Sequence, residues 1–284
     1  YEMSYFNQLT SLDLSNNTAL KRLDCCNNDD DFYDYESGHL ETDYVNQLTS
    51  LDVSNCTALT NKNCKNNQLT SLDLSNNTAL KELYCSNNPL TSLDISNNTA
   101  LKSLRCNNNQ LTSLDVSNNT ALNSLDCSNY DGYYDYEDKY YEMSYFNQLT
   151  SLDLSNNTNL GYLYCAENQL TSLDLSKNTA LIELYCSENQ LTSLDLSNNT
   201  ALKKLSTNEN KYEITLTGKT FDLSTLPTGF DVTKASDWTN ATVKGNILTV
   251  RDALKFIVYK YDLGNGNSET FTLVPQIEET PVTT

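Results

Sequence analysis

The side chains able to do chemistry in this sequence are nine cysteines, a single histidine and an excess of carboxylates. Cys64, Cys85, Cys106 and Cys127 recur every 21 residues, and Cys165 and Cys186 repeat that interval. Zinc sites take paired ligands about two to four residues apart, so this spacing does not describe one. Only Cys25 and Cys26 are close, and adjacent residues point to opposite faces of a strand. The spacing predicts a stacked row of small buried thiols, with a disulfide framework as the alternative. His39 stands alone in a polar stretch with no nucleophile pattern beside it, which excludes a triad or a multi-histidine metal site. No GxSxG, P-loop or GxGxxG fingerprint occurs. Asp13, Asp52, Asp73, Asp94, Asp115, Asp153, Asp174 and Asp195 fall at one repeat position, between two inward leucines, and so point outward. Such a stripe could bind cations; the plainer expectation is solvated charges that bond nearby Ser and Thr.

The elements that must carry these residues follow from the same period. The fullest unit, LTSLDLSNNTALKELYCSNNP from Leu69 to Pro89, divides into two similar halves: Leu69, Leu72, Leu74, Asn77 and Leu80, Leu83, Cys85, Asn88. Both spell LxxLxLxxN, whose LxL centre alternates as a short strand does and fits no helical face. A lone unit has nothing to bury its leucines against, so turns must stack around a shared interior. Eight begin at Leu9, Leu48, Leu69, Leu90, Leu111, Leu149, Leu170 and Leu191. Inward amides predict two asparagine ladders, Asn77, Asn98, Asn119 and Asn88, Asn109, bonding backbone groups that the bends leave unpaired. Thr207 takes the cysteine slot of the last turn. Cys56 replaces a ladder asparagine and Lys62 a core leucine, which marks that turn as degenerate and loosened.

Repeats of this kind, with Leu80, Leu83, Cys85 and Asn88 followed by Leu90, resemble leucine-rich repeat proteins. The cysteine-bearing 21-residue units resemble, more narrowly, bacterial surface proteins of the internalin J type, over residues 7 to 210. The resemblance implies a solenoid, a right-handed superhelix of short parallel β-strands with little or no α-helix. It also implies a secreted or cell-surface bacterial protein that works by adhesion to a partner, with no catalysis and no cofactor. The expected organisation is a solenoid over residues 1–207, interrupted near 29–45 and 130–146, then a small all-β immunoglobulin-like sandwich over 208–277 and a linker tail over 278–284.

Turns of one chain can be compared with each other. The LTSLDLS half hardly changes, whereas the outward residue before each cysteine runs Asp24, Asn63, Tyr84, Arg105, Asp126, Tyr164, Tyr185, Ser206. The resemblance places this half on the concave sheet. Tyrosine and arginine are enriched at interface hot spots, so the candidate surface is Tyr84, Arg105, Tyr162, Tyr164, Glu183 and Tyr185. The insertions DDDFYDYESGHLETDYV and YDGYYDYEDKYYEMSYF add Tyr33, Tyr35, Tyr133, Tyr134 and Tyr136 as further partner-binding candidates. Asp29, Asp30, Asp31, Asp34 and Glu36 are weak calcium candidates, since no EF-hand spacing is present. The opening YEMSYFNQL recurs verbatim from Tyr141, and a chain starting at Tyr1 without a signal sequence reads as an excerpt of something longer.

Composition narrows the partner. Against 37 acidic residues the chain has 18 Lys and Arg, a net charge of −19 that repels phosphate backbones and anionic bilayers. No run approaches the roughly 20 apolar residues of a spanning helix. A monomer binding protein or glycan is expected, with neither nucleic acid nor membrane insertion; a structural spacer is the alternative. After Asn210 strand-like runs take over, KYEITL, KTFDL, ATVKGNILTV, LKFIVYKYDL and SETFTLVP, expected to form an antiparallel sandwich abutting the last turn, with Trp238 in its core.

Overall fold

The computed structural model describes residues 9–26, 47–129 and 145–277. They fall into two compact units, 1–148 and 149–284. In the first unit the cysteine-bearing halves form short strands: β2 (Arg22–Asp24), β4 (Asn61–Asn63), β5 (Glu82–Tyr84), β6 (Ser103–Arg105) and β7 (Ser124–Asp126). Each pairs with the next in parallel and in strict register, so that Leu83 lies between Lys62 and Leu104, and Tyr84 between Asn63 and Arg105. The register follows from alternation, because a one-residue slip would turn the central leucine to water. Leu83, Leu104 and Leu125 have no exposed surface, nor do Cys64, Cys85, Cys106 and Cys127. Burial of each such leucine stabilises the stack by about 1.5–3 kcal/mol.

The other half of the turn, whose LxL centre also reads as a short strand, forms few strands. Only β1 (Ser11–Asp13) and β3 (Ser50–Asp52) pair there among the described residues. In later turns that half is tied at its start, as where the Gln68 N–H donates to the Leu48 carbonyl (2.9 Å). It then bends, with the Asn77 N–H on the Leu74 carbonyl (3.0 Å).

Both asparagine ladders are present and differ in kind. The Asn88 amide nitrogen donates to the carbonyls of Cys64, Cys85 and Ser86 at 3.0–3.1 Å, while its oxygen accepts from the Leu69 N–H at 3.0 Å. Asn98 donates to Leu74 and Asn77 (3.2 and 2.9 Å), but its buried oxygen has no partner. None of the nine cysteines is joined in a disulfide. Burial raises the thiols of Cys64 and Cys85 above the ordinary range and holds them protonated.

The turn carrying Lys62 is not loosened. Its strand keeps register on both sides, and the lysine side chain is swallowed whole at 1% exposure, with its Nζ unpartnered. Neighbouring strands fix the backbone whatever the central side chain, so the cost of this residue falls on its charge. Burial pulls the Lys62 ammonium below its usual pKa. Cys56 likewise holds the ladder position, its thiol donating to the Leu14 carbonyl at 3.3 Å.

In the second unit β8 (Tyr162–Tyr164), β9 (Glu183–Tyr185) and β10 (Lys204–Ser206) repeat the parallel pairing. Four strands follow in one sheet: β11 (Lys211–Leu216), β13 (Ala235–Ser236), β16 (Ile257–Gly264) and β17 (Asn267–Ile277). A three-stranded sheet holds β12 (Thr220–Asp222), β14 (Ala241–Lys244) and β15 (Ile247–Val250). The all-antiparallel expectation is corrected at one place: β11 runs parallel to β17, whereas β16 and β17 form the expected hairpin. Two 3-10 turns, Leu223–Thr225 and Val232–Lys234, are the helical pieces among the described residues, and no helix there is long and apolar enough to cross a membrane.

This β region is bonded to the last repeat turn. The Leu196 N–H donates to the Leu263 carbonyl (2.7 Å), Asn265 to the Leu196 carbonyl (2.7 Å), and the Tyr259 hydroxyl to the Thr192 carbonyl (2.6 Å). Gly264, at φ +85°, comes so close to Ser197 that a Cβ would sit 3.0 Å from its Cα. Lys234 bridges to Asp195 at 3.0 Å. Bonds from Ser197, then from Lys234, bring the Asp195 carboxyl down to about 2. Trp238 is half-buried and stacks on Tyr259, with ring centroids 4.5 Å apart.

Candidate binding surface

Within each three-residue strand the central side chain goes inward and its two neighbours stand on the opposite face. In the first unit this face carries Glu82 and Tyr84 on β5, then Ser103 and Arg105 on β6. The Arg105 guanidinium carbon lies 5.3 Å from the Tyr84 ring centroid, a cation–π contact between adjacent turns. Asn61 donates to Glu82 at 2.6 Å. Burial raises the Asp126 carboxyl, against the opposing bonds from the Ser128 hydroxyl and N–H (2.7 and 3.2 Å) and the charge of Arg105.

In the second unit the Tyr164 and Tyr185 rings stack with centroids 5.1 Å apart and planes 22° off parallel. The Tyr164 hydroxyl donates to Glu183 at 3.0 Å, and the Lys204 ammonium reaches the same carboxylate at 2.9 Å. Those two bonds, Lys204 first, lower the Glu183 pKa, and the bond to Glu183 raises that of Lys204. Tyr162 lies opposite Glu183 in the strand register.

The sequence-derived candidates thus gather into two sets: Tyr84 with Arg105, and Tyr162, Tyr164, Glu183 with Tyr185. Tyr33, Tyr35, Tyr133, Tyr134 and Tyr136 lie outside the described residues, as do Asp29, Asp30, Asp31, Asp34, Glu36 and His39. Among the described residues no group of three or more His, Cys, Asp or Glu is placed to hold a metal ion. The outward aspartates bond their own turns: Asp73 accepts from the Ser75 N–H at 3.0 Å and Asp94 from Ser96 at 2.9 Å. These bonds lower both carboxyls.

Two features escaped the reading of the sequence. The role of Lys204 is one: it follows Glu183 by 21 residues at the same outward position, but is not among the sequence-derived candidates. The other is the backbone after each strand, where Asn66, Asn87 and Asn108 of the first unit and Glu167, Glu188 and Glu209 of the second have φ between 53 and 58°. Asparagine tolerates that left-handed region, while glutamate adopts it at a cost of roughly 1–2 kcal/mol. In the first unit the amides bond along the edge, Asn108 donating to Asn87 at 2.8 Å.

Residues 78–119 match the family model for leucine rich repeats (2 copies). Those residues are leucine-rich repeats, and the same 21-residue unit recurs in the turns on either side of them. Among solved structures the chain is similar to the functional domain of InlJ from Listeria monocytogenes, which includes a cysteine ladder. Identity there is 21%, over 96% of this chain and 84% of that one, with a TM-score of 0.47. The internalin InlF of Listeria monocytogenes shares 24% identity over 57% of this chain and 49% of its own (TM-score 0.47). YopM from Yersinia enterocolitica shares 23% over 73% and 37% (TM-score 0.47). No curated protein matches the chain.

Proposed function

We propose that this leucine-rich repeat chain is a non-catalytic recognition module of a secreted or cell-surface bacterial protein. It binds a protein partner through the outward face of its parallel strands. One observation carries the reading: on a frame whose inward residues barely change, the outward rows carry tyrosine, arginine and glutamate already set in stacked and ion-paired contacts. Side chains held this way lose little freedom on binding, which is what rigid aromatic anchors contribute to an interface. The cysteine-bearing 21-residue unit, with its resemblance to the internalin J type, supports the bacterial surface setting.

The test replaces Tyr84, Tyr164 and Tyr185 together by serine and measures attachment of the full chain to host cells. All three rings stand outside the buried core, so the thermal midpoint should move little while attachment falls at least tenfold, an interface loss on the order of 1.4 kcal/mol or more. Attachment unchanged by this variant overturns the reading in favour of a structural spacer.

A further inference from the structure

Resting on that binding face, we infer that the free side of the Tyr185 ring seats an arginine side chain of the protein partner. The argument comes from a comparison inside the chain. Strands β5 and β9 have the same sequence, Glu-Leu-Tyr, at the same repeat position. Opposite Tyr84 the next strand supplies Arg105, whose guanidinium covers the ring. Opposite Tyr185 the next strand supplies Ser206.

Ser206 leaves the place open. Its hydroxyl is engaged with Ser187 at 2.6 Å and with Asn208 at 2.9 Å. One side of the Tyr185 ring is taken by Tyr164, and among the described residues no ring or guanidinium stacks on the other. In-register strands lie about 4.8 Å apart, so the space above Ser206 is one planar group deep. The first unit shows which group this geometry accepts.

Charge selects the same occupant. Lys204 is already spent on Glu183 and adds no net charge there. The edge beyond the strands carries exposed Glu188, three residues past Tyr185, and Glu209, three past Ser206 and paired with Lys211 at 3.5 Å, where the first unit has the neutral amides Asn87 and Asn108. In the first unit the arginine faces the Asp126 carboxyl and an amide edge; beside Tyr185 the edge position is the carboxylate of Glu188. Guanidinium suits a stacked seat better than ammonium because it is planar and weakly hydrated, and a chain of net charge −19 draws cationic partners in.

The experiment titrates the full chain, with its tyrosine rings 13C-labelled, with Nα-acetyl-arginine amide, its neutral isostere Nα-acetyl-citrulline amide, and N-acetylglucosamine. The Tyr185 ring resonances should move with the arginine probe alone, and the Tyr84 ring should not respond. Ser206→Arg should abolish the response by filling the seat from within, with the β9 backbone resonances in place, and should weaken attachment about three- to tenfold. Equal response to citrulline, response to the sugar instead, or a persisting response in Ser206→Arg overturns the seat. Attachment lost in the triple tyrosine variant but intact in Ser206→Arg overturns the seat and spares the binding face; attachment intact in both overturns both.

Discussion

Two neighbouring turns of the first unit, residues 48–68 and 69–89, hold strands β4 and β5 in the same register and differ at two interior positions. One places Leu83 at the centre of its strand and Asn77 on the ladder; the other places Lys62 and Cys56 there. The pair shows that in a stack the backbone of a turn is dictated by the strands on either side. A misfit side chain is therefore carried as an energetic burden without a change of shape. It also separates what the frame requires, a buried stem of the right length, from what it merely prefers, an uncharged end.

The comparison can be broken most strongly at Leu83. Leu83→Ala should lower unfolding stability by about 2–5 kcal/mol, the range for opening a cavity in a packed core. The same truncation at Lys62 should cost far less, because it also removes a buried ammonium; paired denaturant titrations measure the difference.

Lys62→Leu should go the other way, raising stability by about 1–3 kcal/mol at neutral pH, since it removes a buried polar group that has no partner. The sign with pH follows from the lowered pKa. The folded chain binds this proton less tightly than the unfolded one, so the lysine destabilises fully below its folded pKa, and the penalty disappears as pH rises through the unfolded value near 10.4. The gain of the leucine variant over the parent should therefore shrink between neutral pH and about pH 10, and a constant gain would contradict the assignment.

The smallest effect belongs to Asn77→Cys. Asn77 donates to the carbonyls of Val53 and Cys56 at 3.0 and 2.9 Å, and its oxygen is already unpaired. Cys56 shows that a thiol retains a bond of this kind. The loss should be about 1 kcal/mol, visible as a small fall in the denaturant midpoint at constant slope.

Much of this was legible before any coordinates. A 21-residue period with leucine, cysteine and asparagine at fixed places admits one arrangement, and the stacked thiols and both amide ladders lie where that period puts them. The outward rows were legible for the same reason, since strand alternation separates Tyr84 from Leu83 without further knowledge. What stayed hidden depends on side chains meeting across turns. That Arg105 covers Tyr84 while Lys204 turns to Glu183 is decided by which neighbour each flexible cation reaches. The parallel pairing of β11 with β17 was hidden too, because nothing local to either segment records the direction of a distant partner. The tolerance of the Lys62 turn is a property of its neighbours and not of its own residues.

The column of reduced sulfurs gives the molecule a built-in gauge of its own unravelling. Within the first unit Cys26 is partly accessible, Cys25 is barely touched by solvent, and Cys64, Cys85, Cys106 and Cys127 are sealed. A thiol-modifying reagent reaches the sealed sulfurs only where the coils around them have opened, so the labels a chain acquires would record which turns had come apart.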